Sequence, residues 1–453
     1  MTNKRKIALS TTQIILLSFL AVIFVGSILL VLPISAKSGE SVGYIDALFT
    51  ATTATCVTGL VTLTTATAWS GFGQAVIFLL IQIGGIGTIT VVSAVMIAFQ
   101  RKMKLSDYRL IGDAFNLNSL SDLTVMVKRV IKGTLLVELC GAFLYMTVFV
   151  PEFGLRGVWI SVFNSVSAFC NAGIDIIGES SLMNYATNPI INLTTSALII
   201  IGGLGYIVWW DVIRVVRKMK KQGISALRGL TLHSKIVLST TAVLLIFGAI
   251  LLLAFEYNNP LTIESMSFFD KIQVAFFQSV TTRTAGFASI AQENLCDSSA
   301  ILCLVMMFIG GSPVGTAGGI KTTTIVAIAT AAFSTIRGKN EVSLFGRNLS
   351  NQTIRKSVAV LVMSFSIMTV STLLLSLVSD ASALDVLYET VSATATVGLT
   401  RSLTPTLSTL GKIILICTMY FGRVGPISLA VAFNGGSEAV NIVKNPTEEI
   451  SVG

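Results

Sequence analysis

Long apolar stretches alternate along the chain with shorter stretches of mixed polarity. Each long stretch is close to the roughly 20 residues that a helix needs to cross a bilayer. The long stretches are Gln13–Leu32, Ala75–Phe99, Gly133–Val150, Ile191–Trp210, Ile236–Phe255, Ala300–Ala332, Val358–Val378 and Leu410–Phe433. This pattern predicts eight membrane-spanning helices arranged as four successive pairs.

Within each pair, a shorter stretch lies between the two predicted spans and ends at a glycine. A segment of this length cannot cross the bilayer, so we expect a re-entrant helix that enters from the outside. Irregular backbone at membrane depth is stable where it is buried in protein or lines a watery cavity. Ten residues before each glycine stands an aromatic residue, at Phe49, Phe163, Phe276 and Tyr388.

The four glycines are Gly59, Gly173, Gly286 and Gly398, and they are separated by 114, 113 and 112 residues. Each follows a short run of mostly small and hydroxyl-bearing residues and precedes an apolar residue. Such near-constant spacing indicates an internal repeat. The last loop, with the sequence Thr-Val-Gly, also resembles the start of a potassium-channel filter, where backbone carbonyls replace the water shell of the ion.

The loops predict one cation filter built from four chain segments. A filter strand that turns successive carbonyls inward needs a residue without a Cβ atom, and we expect positive φ at these glycines. Four ordinary turn glycines are the alternative, and the even spacing argues against it. The predicted K⁺-binding residues are Val57, Thr58, Gly59, Asn171, Ala172, Gly173, Thr284, Ala285, Gly286, Thr396, Val397 and Gly398.

We therefore expect each repeat to contain a span, a pore helix, a filter loop and a second span. The fold is then an all-α integral membrane protein, with eight transmembrane helices plus four re-entrant pore helices around one pore. The pore helices would point their negative C-terminal ends at the cation. The predicted repeats cover residues 1–110, 111–222, 223–345 and 346–453.

A second glycine cluster follows each filter glycine by 24 to 29 residues, inside the second predicted span. Close helix packing accounts for the first two clusters, at residues 84–87 and 202–205. The third cluster holds five glycines and a proline and should interrupt the helix with a loop directly below the filter. Part of it approaches a P-loop, but Ile320 stands where the second glycine is needed. The predicted gate residues are Gly310, Gly311, Ser312, Gly315, Thr316, Gly318, Gly319 and Arg423.

Among the charged residues inside the predicted spans, Arg423 and Glu138 each have two interpretations. Arg423 at mid-membrane depth faces a cavity or a partner, as a structural ion pair or as a cationic barrier acting with the gate loop. Lys321 can reach cytoplasmic water and anchor the helix. Glu138 is a coupling or a structural carboxylate, and the sequence does not choose between them.

Charged residues also flank the filter loops. Asp46 and Asp385 each precede their filter glycine by 13 residues, where they would cap the pore helices and attract cations to the pore mouth. Arg283 and Arg401 lie three residues from filter glycines. We expect them to brace the loops by pairing with carboxylates such as Glu389.

Composition agrees with a membrane protein. The 453 residues are 53% hydrophobic and 12% charged, with a mean hydropathy of +0.82, whereas soluble domains carry about 25% charged residues. The net charge of +9 concentrates on one set of loops, which predicts both termini in the cytoplasm rather than a nucleic-acid site. The six cysteines lack metal-ligand spacing and there is one histidine, so we expect no metal other than K⁺.

Taken together, the four loops, the Gly-Gly-Ser to Gly-Gly-Ile-Lys stretch and the mid-span arginine resemble the KtrB/TrkH/HKT superfamily of potassium transporters. KtrB-type pore subunits are the most similar, because the first repeat begins almost at the N-terminus. The resemblance covers nearly the whole chain. Sodium-selective plant members carry serine in the first filter, so Gly59 is consistent with potassium permeation.

The resemblance implies a regulated potassium uptake subunit in the cell membrane. It implies a homodimer, each protomer with its own pore, gated by a cytoplasmic ring of nucleotide-binding RCK subunits (KtrA-like). Sodium stimulation is common in such systems, and no organic cofactor is expected in this chain. Residues 214–235 and 337–356 are the candidate surfaces for the ring.

Two other functions remain as alternatives. A sodium or ammonium pathway would have the same architecture. A membrane-embedded enzyme would need a nucleophile and base, or a metal cluster, facing a cavity. With one histidine and neither an HExxH nor a GxSxG motif, the sequence favours a transporter over an enzyme.

Overall fold

The structure is a computed structural model, and it describes residues 11–87, 123–339 and 341–425. Its described part is helical apart from turns, loops and one small hairpin. The helices are α1 Thr11–Val31, α2 Tyr44–Cys56, α3 Thr65–Ala68, α4 Gly71–Ile86, α5 Leu123–Phe153, α6 Leu155–Cys170, α7 Pro189–Leu204, α8 Tyr206–Gln222, α9 Leu232–Glu256, α10 Phe268–Thr281, α11 Asp297–Phe308, α12 Thr322–Ile336, α13 Asn351–Ser376, α14 Ala383–Ala395 and α15 Thr409–Val424.

Four of these helices are long and apolar enough to cross a membrane, within the described ranges. They contain the segments Gln13–Val31, Val127–Phe153, Leu232–Glu256 and Asn351–Ser376. Each coincides with the first predicted span of a pair, and each is largely exposed. An apolar helix of this length with its side chains outward is stable in lipid rather than in water.

A short helix follows each long one and is much more buried. These short helices are α2, α6, α10 and α14, the predicted pore helices, and their C-terminal halves form the centre of the molecule. The aromatic residues Phe49, Phe163 and Tyr388 are fully buried on them, and Phe276 packs against the core. Burial of the rings fixes each short helix against its neighbours.

The second helix of each predicted pair is shorter than expected. Helices α4, α7 and α15 each end at a glycine with positive φ, namely Gly87 at 92°, Gly205 at 87° and Gly425 at 89°. The predicted span Ile191–Trp210 is therefore not continuous: α8 leaves α7 at an angle of 100°. A glycine is tolerated at this point because it adopts positive φ without a steric penalty.

The third pair also contains a break, at the place that the sequence predicts. Helix α11 ends at Phe308 and α12 begins at Thr322, with residues 309–321 as an irregular loop between them. Residues 88–99 and 426–433, the remainder of two other predicted spans, lie outside the described part of the chain.

One element departs from an all-α fold. Strands β1 Ser343–Leu344 and β2 Arg347–Asn348 pair antiparallel between α12 and α13. Phe345 and Gly346 form the turn, and both have positive φ. The hairpin belongs to the basic segment that the sequence offers as a partner surface. The division into four repeats stays a prediction, as does the total number of spans.

Candidate functional site

The four short helices end in the same way. Directly or shortly after each helix, one non-glycine residue adopts the left-handed conformation, and it always stands two residues before the predicted filter glycine. These residues are Val57, Asn171, Thr284 and Thr396, with φ values of 56°, 60°, 62° and 50°. A left-handed residue reverses the chain direction at a helix end. The chain therefore turns from the helix into a loop at an equivalent place each time.

The filter glycines themselves have positive φ, as expected from the sequence. The angles are 99° at Gly59, 64° at Gly173, 81° at Gly286 and 97° at Gly398. Other residues adopt this conformation at a cost of about 1–2 kcal/mol. The backbone at these four positions therefore selects glycine before any question of space arises.

Space selects glycine as well, because the four loops meet. A Cβ atom at each filter glycine would lie within 2.6 Å of the carbonyl oxygen just before the next filter glycine. The oxygens belong, in ring order, to Ala172, Ala285, Val397 and Thr58. The loops thus form a closed ring in the order 59, 173, 286 and 398. All twelve predicted filter residues lie in these loops. Eleven of them are buried, and Gly173 is half-buried.

Hydroxyl groups hold the loops in place from behind. Thr53 Oγ1 accepts a hydrogen bond from the Gly59 amide at 2.9 Å, and Ser392 Oγ accepts one from the Gly398 amide at 3.0 Å. Ser167 Oγ accepts one from Ile174 N at 3.1 Å. These bonds use N–H groups in three of the four loops and leave the loop carbonyl oxygens to other partners. These hydroxyls are not among the predicted site residues, although a hydroxyl six residues before three of the four filter glycines is visible in the sequence.

The irregular loop 309–321 is attached to the end of α7 by its backbone. Ser312 N donates to Gly203 O at 2.9 Å, and Thr316 N donates to Gly202 O at 3.2 Å. In the opposite direction, Tyr206 N donates to Val314 O at 3.1 Å. The glycines at residues 202–205 therefore provide a surface on which the loop lies. This contact is additional to the close helix packing predicted for them.

The same loop contacts three filter loops at their left-handed residues. Thr316 Oγ1 donates to Asn171 Oδ1 at 2.9 Å, and Thr284 Oγ1 accepts from Gly318 N at 3.1 Å. Gly318 also lies so close to the Thr396 hydroxyl that a Cβ atom would overlap it. The predicted gate residues are thus brought into direct contact with the predicted filter.

Arg423 joins this loop to a different helix. Its Nη1 donates to Thr316 O and its Nη2 to Gly84 O, each at 2.6 Å. No carboxylate pairs with Arg423 among the described residues, so the ion-pair interpretation is wrong for this part of the chain. The side chain instead connects the gate loop with the first glycine cluster. A guanidinium is suited to this because its donors diverge in one plane.

A cavity of 320 Å³ lies beside the loop. Its lining includes Gly315 and residues 317–321 of the loop, one side of α13 and residues 421–425. Lys321 does not extend to the cytoplasm as expected: its Nζ donates to Ala317 O at 2.7 Å, within the loop itself. The two cations Lys321 and Arg423 both line this space.

The charges at the outer ends of the pore helices agree with expectation only in part. Asp46 pairs with Lys412 at 2.6 Å, and the cap of α2 is Gly43, without a side-chain bond. Asp385 pairs with Arg401 at 2.7 Å and also takes part in a reciprocal cap with Ser382. Because both carboxylates are paired with cations, their attraction for ions at the mouth is reduced.

The two filter-side arginines do not pair with Glu389. That buried carboxylate accepts hydrogen bonds from the hydroxyls of Thr400, at 2.7 Å, and Thr404. Arg401 pairs with Asp385 instead, and Arg283 Nη2 lies 3.5 Å from Gly310 O. Arg283 therefore braces the third filter loop against the gate loop rather than against an acid.

Glu138 lies behind the second filter loop. Its carboxylate accepts from Gln82 Nε2 at 3.1 Å and lies 3.9 Å from the Cys170 thiol, at the last residue of α6. Helices α4, α5 and α6 meet at this cluster. The contacts indicate a structural role at the base of the second pore helix, one of the two interpretations left open by the sequence.

The sequence profile of the family described as "TrkH: Cation transport protein" matches residues 2–441 of the chain. The chain belongs to this family. As a TrkH-family member with several apolar helices, it is a multi-pass membrane protein.

Two curated TrkH-family relatives cover almost the whole chain. "Potassium/sodium uptake protein NtpJ" of Enterococcus hirae is 38% identical over 451 residues, 98% of either chain. "Ktr system potassium uptake protein B" of Bacillus subtilis is 36% identical over 442 residues, covering 97% of this chain and 96% of the relative. The resemblance drawn from the loops and the gate stretch is therefore confirmed.

A solved structure shows the same fold. The crystal structure of the potassium transporter TrkH from Vibrio parahaemolyticus superposes with a TM-score of 0.74, covering 95% of this chain and 86% of that one. The sequences are 16% identical, so this likeness supports the architecture of the TrkH family alone.

Proposed function

We propose that this protein is the pore-forming subunit of a potassium uptake system. The observation that carries the proposal is the closed ring of four filter glycines, with an irregular loop bonded directly to it. Two relatives that match nearly the full chain are named for potassium uptake, which supports the choice of ion. The substrate is the K⁺ ion itself, and the described residues offer no cluster of His, Cys, Asp or Glu for a metal.

In this proposal, the ring removes water from the ion. The carbonyls of Thr58, Ala172, Ala285 and Val397 face neighbouring loops rather than backbone donors. Closely spaced carbonyl oxygens can replace the water molecules that a cation loses when it enters the ring. The hydroxyls of Thr53, Ser167 and Ser392 keep the loops from collapsing or widening when the ion leaves.

The loop 309–321 is the gate in this proposal. Its contacts with Asn171, Thr284 and Arg423 place it against the ring, and thirteen residues without helix are easier to displace than a helix. Opening would require the two Arg423 bonds to break or move. Hydrogen bonds to charged groups contribute about 1.5–3 kcal/mol each, which suits a closed state that a second subunit can shift.

Control would come from outside the chain. We propose a homodimer with one pore per protomer, and a cytoplasmic ring of nucleotide-binding RCK subunits as the regulator. The relative from Bacillus subtilis carries the name of one subunit of a Ktr system, which supports a partner. We assign the hairpin 343–348 and the basic residues around it to the binding surface for the regulatory RCK subunits. Phe345 in the hairpin is 54% exposed.

Sodium is the second candidate ion. The relative from Enterococcus hirae is named for both potassium and sodium. The four loops also differ in sequence, so the ring is not four-fold identical. Competition between K⁺ and Na⁺ during uptake distinguishes a potassium path that sodium stimulates from a path that carries both.

The test is potassium uptake in a host that lacks its own uptake systems. We compare wild type with Gly286→Ser, where the added side chain would meet the Val397 carbonyl. Gly178→Ser is the matched control, because a Cβ atom there has no neighbour within 4 Å. We expect wild type and the control to restore growth at low potassium, and Gly286→Ser to raise the apparent KM for potassium.

Two results would contradict the proposal. If Gly286→Ser transports like wild type, the loops at this ring are not the ion path. If wild type moves no potassium even when a matching RCK subunit is present, the protein is not a potassium uptake subunit.

A further inference from the structure

Helix α8 does not continue in the direction of α7. Helix α7 has 16 residues, a rise of about 24 Å, whereas the hydrocarbon core is about 30 Å thick. Helix α8 then leaves α7 at 100°. With α7 crossing from the outside, the bend falls near the inner boundary of the bilayer and α8 continues almost parallel to it.

One side of α8 is anchored to the protein. Val208, Asp211 and Val215 are buried. The Asp211 carboxylate accepts hydrogen bonds from both Thr231 N and Thr231 Oγ1, each at 2.9 Å. These bonds tie the helix to the residue that caps α9. The rest of α8 is thereby held in a fixed rotation relative to the protein.

A second side exposes apolar residues. Ile213 is 39% exposed and Val216 is 50% exposed, one helical turn apart. The segment Gly223–Gly229 that follows α8 adds Ile224 at 78% and Leu227 at 44%. Apolar side chains at the end of a surface helix are covered when the helix lies in the headgroup region with this side toward the acyl chains.

The remaining side is basic. Arg214, Lys218 and Lys221 follow helical spacing on one stripe, and Arg217 lies at the edge of the stripe next to Ile213. Lys220 lies four residues after Val216, beside the apolar side, and all five cations are exposed. Residues 206–235 contain one acidic residue, Asp211, whose oxygens are taken by Thr231 and Arg214. The cluster of Arg217, Lys218, Lys220 and Lys221 therefore lacks a carboxylate partner in the described structure. Anionic headgroups attract such a cluster next to a membrane.

We propose that α8 and residues 223–229 bind anionic phospholipid of the inner leaflet, and that this contact adjusts the gate loop. The link is the junction of α7 and α8. Its backbone holds the gate loop through the Gly203–Ser312, Gly202–Thr316 and Tyr206–Val314 hydrogen bonds. A shift of α8 at the membrane surface is transmitted to Val314 by a single peptide unit, without a flexible side chain between them.

A membrane fits this surface better than a cytoplasmic protein does. The sequence offers residues 214–235 as a candidate surface for the regulatory ring, but the exposed apolar side chains lie beside the cations on a helix at bilayer depth. Cations next to apolar residues on a surface helix are typical of membrane binding. The regulatory ring is then left with the hairpin 343–348.

The first experiment measures lipid preference. Purified protein is placed in phosphatidylcholine vesicles in which roughly 30% of the lipid is either brominated phosphatidylglycerol or brominated phosphatidylcholine. Quenching of tryptophan fluorescence is then compared between the two kinds of vesicle. Trp209 and Trp210 lie at the start of α8. The test variant carries Arg217→Gln, Lys218→Gln, Lys220→Gln and Lys221→Gln. The control removes four cations elsewhere, with Lys339→Gln, Arg347→Gln, Arg355→Gln and Lys356→Gln.

Wild type and the control should be quenched preferentially by phosphatidylglycerol. The test variant should lose this preference by roughly ten-fold or more, since each basic residue near an anionic surface adds to binding. If the test variant keeps the preference, the lipid site is wrong. If wild type has no preference but the test variant no longer binds the regulatory subunit, the surface belongs to that protein instead. A milder pair, Lys218→Gln with Lys221→Gln, replaces the test variant should the latter not fold.

The second experiment separates binding from gating. Potassium flux is measured in vesicles with and without phosphatidylglycerol, for wild type and for Gly205→Ala, whose added Cβ would meet the Pro313 carbonyl. We expect several-fold stimulation of wild type by the anionic lipid, and no stimulation of Gly205→Ala although it keeps the lipid preference. Equal stimulation of both would disprove transmission through the junction. The quenching measurement does not depend on transport, so a failure of the proposed function is recognisable separately.

Discussion

The ring of filter loops and the gate loop below it are built in opposite ways. The ring uses one design four times: a short helix, a left-handed residue and a glycine with positive φ. In the described ranges, the gate loop occurs once, between α11 and α12, and its contacts go to unequal partners. An ion that is dehydrated from all sides needs oxygens on all sides, whereas a barrier needs a single element that moves. Under the proposed function, the near-symmetry of the ring serves ion selection, and the loss of symmetry at the gate loop serves control of the flow.

The largest effect should come from filling the ring. Gly398→Ala places a methyl group against the Thr58 carbonyl and forces a non-glycine residue into positive φ, at a cost of about 1–2 kcal/mol before the clash. We expect potassium uptake to fall to background, measured as rubidium influx. Gly71→Ala is the control, because its Cβ would have no neighbour within 4 Å. Normal uptake by Gly398→Ala would mean that the ring is not the narrowest part of the path.

The gate loop should respond in the opposite direction. Arg423→Met removes both bonds that join Thr316 to Gly84. A loss of about 2 kcal/mol from the closed state raises the open population roughly 30-fold, so basal flux should increase without the regulatory subunit. The measurement is flux in vesicles that contain the pore subunit alone. Reduced flux with unchanged protein folding would show instead that Arg423 keeps the path open.

A smaller effect should appear where the two regions touch. Asn171→Ala removes the Thr316 hydroxyl contact from the second filter loop while the helix end remains. A neutral hydrogen bond contributes about 0.5–1.5 kcal/mol, so we expect a roughly two- to ten-fold change in basal flux. The ratio of K⁺ to Na⁺ uptake reports on the ring separately. A changed ion ratio with unchanged basal flux would assign Asn171 to selection rather than to the gate.

The smallest effect should come from the outer ion pair. Arg401→Gln breaks the pair with Asp385, which is partly exposed, and exposed pairs contribute about 0–1 kcal/mol. We expect thermal stability to change little and potassium KM to change less than two-fold. Lys412→Gln, which breaks the corresponding pair with Asp46, provides the parallel case. A large loss of uptake in one of them but not in the other would show that the outer mouth is less symmetric than the ring.

Much of the architecture is readable from residue patterns. Apolar runs near 20 residues locate the long helices, because the bilayer sets their length. Glycines at nearly constant spacing locate the filter loops, because the backbone conformation there excludes side chains. The break between α11 and α12 is equally visible, since five glycines and a proline cannot continue a helix.

Other features depend on contacts between distant segments. The sequence predicts that Arg283 and Arg401 pair with carboxylates such as Glu389. In the structure, Glu389 accepts hydrogen bonds from two threonine hydroxyls that follow the fourth loop. Asp46 is paired with Lys412, 366 positions away. Partner choice among buried charges depends on which segments pack together, and spacing along one chain does not contain that information.

The sequence by itself determined where the long first helices, the short buried helices and the filter glycines lie, because hydrophobic length and backbone freedom are local properties. Tertiary structure alone decided that the left-handed residues touch the gate loop, that Arg423 binds two carbonyls instead of an acid, and that α8 turns away from α7 at Gly205. Each of these depends on the positions of atoms far apart in the chain. The closed ring needed both: glycine at each position came from the local sequence, and the order of the loops came from the fold.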